Sequence, residues 1–171
     1  MSFFPPLGLE YIAAVVEPYA QALDVVDMRQ EAGHTRDFLR PETDLICFSV
    51  NWNNDTEFLR DEIRSVGSEI PVVLGGRYAT EDPELWLSEF PNVTMVVRGD
   101  GEEAMEDICR GLPLDAITGL SFRRDGRIIH NENRTPGSVR DNLYPNRYRR
   151  RYSYEINLDG IATGQTIDML S

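Results

Sequence analysis

Three short apolar runs in this chain each end in small or polar residues: Ser49-Val50-Asn51, Gly75-Gly76-Arg77 and Gly99-Asp100-Gly101-Glu102. Adjacent glycines remove side chains, so a flat or bulky ligand can approach the main chain there, although a tight strand-to-helix turn also asks for glycine. Serine and asparagine offer short-range hydrogen-bonding groups. The pattern points to a ligand-binding rim rather than to catalysis. The two histidines, His34 in a polar loop and His130 in a hairpin pattern, have no neighbouring nucleophile, and acidic residues are scattered over nearly every helical stretch. Asp100 and Glu102 suit the first turn of a following helix, and could also accept hydrogen bonds from ligand amides.

Other chemistries are excluded by composition. All 17 basic residues are arginine and none is lysine, which removes a P-loop lysine, a Schiff-base lysine and a receiver-domain lysine. The net charge of -12 opposes general binding to nucleic acid. It is unevenly spread: residues 1–115 hold 23 acidic side chains against 8 arginines, whereas residues 116–171 hold 6 against 9. The two cysteines, Cys47 and Cys109, sit in an apolar strand and an amphipathic helix pattern and form neither a metal motif nor a disulfide framework. No apolar run reaches the length of a membrane span and Met1–Phe4 is too short for a signal peptide, so a cytoplasmic location is expected.

The elements that must position the rim follow from periodicity. Pro5-Pro6-Leu7-Gly8-Leu9-Glu10 leads into an apolar helical pattern ending near Pro18, with room for only an abbreviated strand before it. Leu23–Arg29 reads as a half-buried strand and Asp44–Val50 as a central one. After a polar mouth at residues 51–55, Thr56 is suited to cap a helix bearing Phe58, Leu59, Ile63 and Val66 on one face. Val72-Val73-Leu74 predicts a buried strand, Asp82-Pro83 a helix start, Thr94–Val97 another buried strand and Glu102–Cys109 a helix. Alternation of this kind implies an α/β, Rossmann-like (flavodoxin-like) doubly wound parallel sheet with helices on both faces over residues 1–115. Residues 116–130 predict a β-hairpin appendage turning at Asp125-Gly126, and residues 131–171 an extended linker. Its cluster Arg147-Tyr148-Arg149-Arg150-Arg151-Tyr152 reads as part of a solvated connector in preference to an RNA-binding tract.

Taken together, several motifs resemble a known family. They are the Pro-Pro-Leu-Gly-Leu opening, strand ends at Asp27 and Ser49, the Val-Val-Leu-Gly-Gly run, the Gly99-Asp100-Gly101-Glu102 turn and the Ile117–Arg123 hairpin start. Over residues 5–130 the succession resembles the N-terminal cobalamin-binding domain of cobalamin-dependent radical S-adenosylmethionine enzymes. The resemblance implies cobalamin as ligand. Ser49 and Asn51 would bond its amides or tail nitrogen, and Gly75, Gly76, Gly99 and Gly101 would make room. Arg77 or Arg29 would meet the nucleotide phosphate, with Asp100 and Glu102 accepting from amides. It also implies a C-terminal radical S-adenosylmethionine barrel as partner, with a [4Fe-4S] cluster and S-adenosylmethionine, and a methyltransferase or oxidative cyclase as parent enzyme. The competing expectation is a docking or structural module that keeps the fold without the ligand.

Departures from the family pattern sharpen the expectation. No three-cysteine cluster motif occurs, so the chain reads as an N-terminal portion with no catalysis of its own. The Asp-x-His-x-x-Gly signature of methionine-synthase-like corrinoid proteins is replaced by Asp27-Met28-Arg29-Gln30-Glu31-Ala32. Arginine stays protonated and does not ligate cobalt, so the resemblance implies binding with the benzimidazole off the metal and no histidine in its place.

Overall fold

The computed structural model describes residues 5–51, 56–135, 143–152, 157–158 and 161–162. Within these, a five-stranded sheet carries the fold, built from β1 (Ile46–Ser49), β2 (Val72–Gly75), β3 (Val93–Val97), β4 (Leu120–Arg124) and β5 (Arg127–His130), side by side in that order. The first three strands run parallel, with Ile46 opposite Val72 and Ser49 opposite Gly75. β4 and β5 add on antiparallel. A two-stranded ribbon, β6 (Asn157–Leu158) and β7 (Ile161–Ala162), forms a separate pair.

Side-chain alternation along the strands splits the core between the two faces. Val72, Leu74, Val93 and Val96 pack with Ile63 of α2 (Thr56–Ser65), Ala79 of α3 (Arg77–Glu81) and Trp86 and Leu87 of α4 (Pro83–Glu89). Val73 and Val97 pack with Val15 and Val16 of α1 (Leu7–Val16) and Ala104 and Met105 of α5 (Glu102–Cys109). Helices therefore cover both sides, as the alternation requires. The Asp82 carboxylate caps α4 by accepting the Leu85 N–H at 3.0 Å. The hairpin turns at Asp125 and Gly126, both at positive φ, as a two-residue loop between twisted strands demands.

The structure corrects several expectations. The hairpin is no appendage: Met95 pairs with Phe122 and Val97 with Leu120, and buried Phe122 and Leu120 complete the sheet. Leu23–Arg29 forms only a single bridge, Val25 to Arg150, because the chain turns back at once. The Asp27 carbonyl accepts the Gln30 and Glu31 N–H groups, which ends any extended run. β1 is the outermost strand of the five rather than a central one, and its residues are part-exposed. Phe58 and Leu85, placed on apolar faces by periodicity, are exposed while Ile63, Trp86 and Leu87 carry the contacts. The expectations for residues 1–4, for residues 52–55 and for the Thr56 side chain lie outside what is described.

The basic cluster is only partly solvated: Tyr148, Arg149 and Arg151 are exposed, while Arg147 and Arg150 are mostly covered. Residues 143–151 return along α1. Asn146 donates its backbone N–H to the Glu10 carbonyl at 2.9 Å, and Arg150 reaches the fully buried Glu10 carboxylate at 3.2 Å. Arg149 binds Glu17.

Candidate functional site

A cavity of about 570 Å³ opens where the parallel strands end, the position at which open α/β sheets receive ligands. Its lining includes Ser49 and Asn51 from β1, Gly75, Gly76 and Arg77 from β2 and α3, and Gly99, Asp100, Gly101 and Glu102 from the β3–α5 turn. The structure thus brings nine of the ten expected site residues to one place. Arg29 is the exception and does not line the cavity. Asp27 holds it in a two-pronged pair, with Nε and Nη2 each 2.7 Å from a carboxylate oxygen.

Each glycine has its own reason. Gly76 lies at φ 95°, and a Cβ there would stand 2.7 Å from Asn51 Oδ1 and 2.8 Å from the Val50 carbonyl oxygen. A Cβ on Gly75, by contrast, would meet no atom within 4 Å. Gly76 is needed by the turn, whereas Gly75 keeps cavity floor clear. The turn reading therefore applies to Gly76, and open space beside the backbone to Gly75.

Hydrogen bonds between neighbouring strand ends fix the rim. The Val50 carbonyl accepts the Tyr78 and Ala79 N–H groups, at 2.9 and 3.3 Å. Asn51 donates Nδ2–H to Ser49 Oγ at 2.9 Å and accepts the Arg77 N–H at 3.2 Å. Across the next gap, Thr80 donates to the Gly76 carbonyl at 3.0 Å and accepts the Gly99 N–H at 3.2 Å. Arg77 extends into solvent, its side chain 81% exposed and 4.0 Å from Glu81.

Sequence reasoning missed one whole wall. Gly8, Leu9 and Ile12 of α1 wall the cavity beside the β3–α5 turn, and Val73, Cys47 and Met105 add apolar lining. A Cβ on Gly101 would come within 3.0 Å of Ile12 Cδ1, which shows how closely the helix and the turn approach. The Pro-Pro-Leu-Gly opening was the available signal, since Gly8 leaves space beside the strand ends. The Cys47 thiol is pushed up to about 12, first by burial and then by the neighbouring Cys109. It is a neutral apolar surface at physiological pH. Among the described residues no cluster of side chains is arranged to hold a metal ion, and no helix is long and apolar enough to cross a membrane.

Comparisons with known proteins agree with this geometry. The model of the B12 binding domain family matches residues 2–109. An uncharacterized methyltransferase of Pyrococcus horikoshii is 29% identical over 134 residues, which is 72% of this chain and 29% of the relative. The fold superposes on TsrM of Kitasatospora setae, a radical S-adenosylmethionine methyltransferase solved with cobalamin and a [4Fe-4S] cluster bound. There the TM-score is 0.63 at 17% identity, over 82% of this chain and 28% of TsrM. A second TsrM structure, with tryptophan and a S-adenosylmethionine analogue, gives a TM-score of 0.58 at 18% identity, over 75% of this chain and 27% of TsrM. The chain therefore spans under a third of the length of these relatives. With the family model covering most of the chain and the strand ends forming a glycine-floored cavity, the protein belongs to the B12-binding domain family.

Proposed function

We propose that this chain binds cobalamin as one domain of a longer radical S-adenosylmethionine enzyme, a methyltransferase or an oxidative cyclase. The observation that carries the reading is the cavity floor at Gly75, where a side chain would have open space and none is present. At about 570 Å³ the cavity falls within the usual range for small-molecule sites, about 300–1,000 Å³. That volume suits the nucleotide tail of the cofactor better than the whole corrin, which leaves the macrocycle to the rim.

The residues present fit this ligand. Ser49 and Asn51 would offer a hydroxyl and an amide to the tail, and the exposed Arg77 at the cavity mouth would be the cation for its phosphate. Asp100 and Glu102 face the amide-rich edge as acceptors. Arg29 is withdrawn from that role by Asp27. Arginine stays protonated and no histidine lies between residues 27 and 32, so no imidazole from this turn would ligate cobalt; a tail inserted into the cavity would keep the benzimidazole off the metal. Cobalamin so held supplies a cobalt centre able to carry a methyl group between a donor and an acceptor. The chain's own part is to bind and orient: the rim hydrogen bonds pre-form the slot, and Cys47, Val73 and Met105 keep its floor dry.

The experiment is a titration of the purified chain with hydroxocobalamin, followed by reduction to the cobalt(II) state. Retained cofactor without nitrogen superhyperfine splitting in the electron paramagnetic resonance spectrum supports the reading. Splitting would overturn the ligand-off mode, and failure to retain cofactor would leave a docking module.

A further inference from the structure

Helix α1 supplies one wall of the cavity through Gly8, Leu9 and Ile12. Its other side is held by a segment more than a hundred residues away. Arg150, only 11% exposed, donates to the fully buried Glu10 carboxylate at 3.2 Å, and Arg147 Nε stands 3.9 Å from the other carboxylate oxygen. Asn146 donates to the Glu10 carbonyl at 2.9 Å and, through Nδ2, to Glu17 at 2.6 Å. Arg149 Nε donates to Glu17 at 2.7 Å. Main-chain bonds on both sides of Arg150 then fix the segment to Val25: the Val25 N–H reaches the Arg149 carbonyl at 2.8 Å, and the Arg151 N–H reaches the Val25 carbonyl at 3.0 Å.

This arrangement is too specific for a connector. A carboxylate buried on a helix is tolerable only with cations and donors around it, and those of Glu10 come from the strap. Glu10 lies one residue from Leu9 and two from Gly8 and Ile12, so whatever moves Glu10 moves the wall. The segment lies outside the matched family region, residues 2–109.

We infer that the strap of residues 143–151 is a positioning element of the cavity: by clamping Glu10 and Glu17 it holds α1 closed over the ligand. The coupling to affinity rests on the cobalamin reading above. Where the closed wall is only fractionally populated, the apparent dissociation constant rises by the inverse of that fraction. A strap whose loss leaves the wall closed about a tenth of the time weakens binding about tenfold. Linkage makes the effect reciprocal, so a ligand that needs the closed wall also protects the strap.

The test uses Arg150→Met, which keeps the apolar stem and removes the cation. Its companion is the double variant Glu10→Met with Arg150→Met, which replaces the buried pair by apolar groups of similar length. Amide hydrogen exchange is read over residues 7–16 and 143–151 and over the strands, with and without hydroxocobalamin, and binding is titrated in parallel. The inference expects Arg150→Met to speed exchange in residues 7–16 while the strands keep their protection. It expects affinity to fall about tenfold, the double variant to recover most of both, and cofactor to slow exchange in residues 143–151 of the unaltered chain. Unchanged exchange in α1 overturns it, as does faster exchange with unaltered affinity. Should the unaltered chain bind no cobalamin, the functional reading fails, and exchange in α1 alone still decides whether the strap holds the wall.

Discussion

The hydroxyl of Thr80 accepts the Gly99 N–H at 3.2 Å and so joins the end of β3 to the helix that follows β2. The same oxygen donates to the Gly76 carbonyl at 3.0 Å. Two glycines at positive φ are thereby held by one side chain across a strand gap. Such preorganisation lowers the ordering that a ligand must otherwise impose.

Thr80→Val keeps the shape and removes both bonds. The expected outcome is a stability loss of about 1 kcal/mol and a several-fold weaker cobalamin affinity, with Thr80→Ser close to the unaltered chain. Thermal melts and titrations of the two variants check it. Equal affinity for valine and serine would contradict the role given to the hydroxyl.

The two adjacent glycines separate by the same measurements. Gly76→Ala places a Cβ against the Val50 carbonyl at a left-handed backbone position and should cost about 1–3 kcal/mol. A Cβ at Gly75 meets no atom within 4 Å and valine suits a strand, so for Gly75→Val the melting temperature should hold while the cavity fills and cofactor retention is lost. A Gly75→Val chain that binds normally would remove Gly75 from the site.

Much of this floor was legible in the sequence, because an apolar run closed by glycine marks both a strand and its carboxyl end. The α1 wall and the strap were not. Arg150 and Glu10 are 140 residues apart, and no local pattern links a basic cluster to one helical glutamate. Leu23–Arg29 misled for a different reason. Its alternation fits a strand, but the Asp27 carboxylate binds the Arg29 main chain and side chain, and that local turn prevails over pairing. β1 misled through its apolar content, which an outer strand also needs: Ile46 and Phe48 pack on the face of α2, α3 and α4, and Cys47 on the face of α1 and α5.

Glu62 links stability to pH. It is buried, and burial pushes its carboxyl up, but bonds from the Thr35 main chain and the His34 ring outweigh this and hold it below its ordinary value. A group whose value is lowered on folding stabilises the protein above its unfolded value, and that stabilisation drains away as pH falls through the folded one. Glu62→Gln should therefore lower stability at neutral pH and flatten the loss below about pH 4.5, as urea melts across pH 3–7 would show. Parallel pH profiles for the two proteins would contradict this.

Cys47 gives a chemical probe of the cavity. A thiol raised to about 12 holds about three orders of magnitude less thiolate at pH 8 than an ordinary cysteine. Alkylation by iodoacetamide, followed by mass spectrometry, should be correspondingly slow and slower again with cobalamin bound. Rapid modification that cofactor leaves unchanged would place Cys47 outside the ligand's shadow.

The most direct measurement of the central claim is equilibrium binding of hydroxocobalamin to the unaltered chain beside Gly75→Val, read from the corrin absorbance retained after gel filtration. The account predicts one equivalent retained by the unaltered chain and none by the variant, with both equally folded. Equal retention by the two, or none by either, would contradict it.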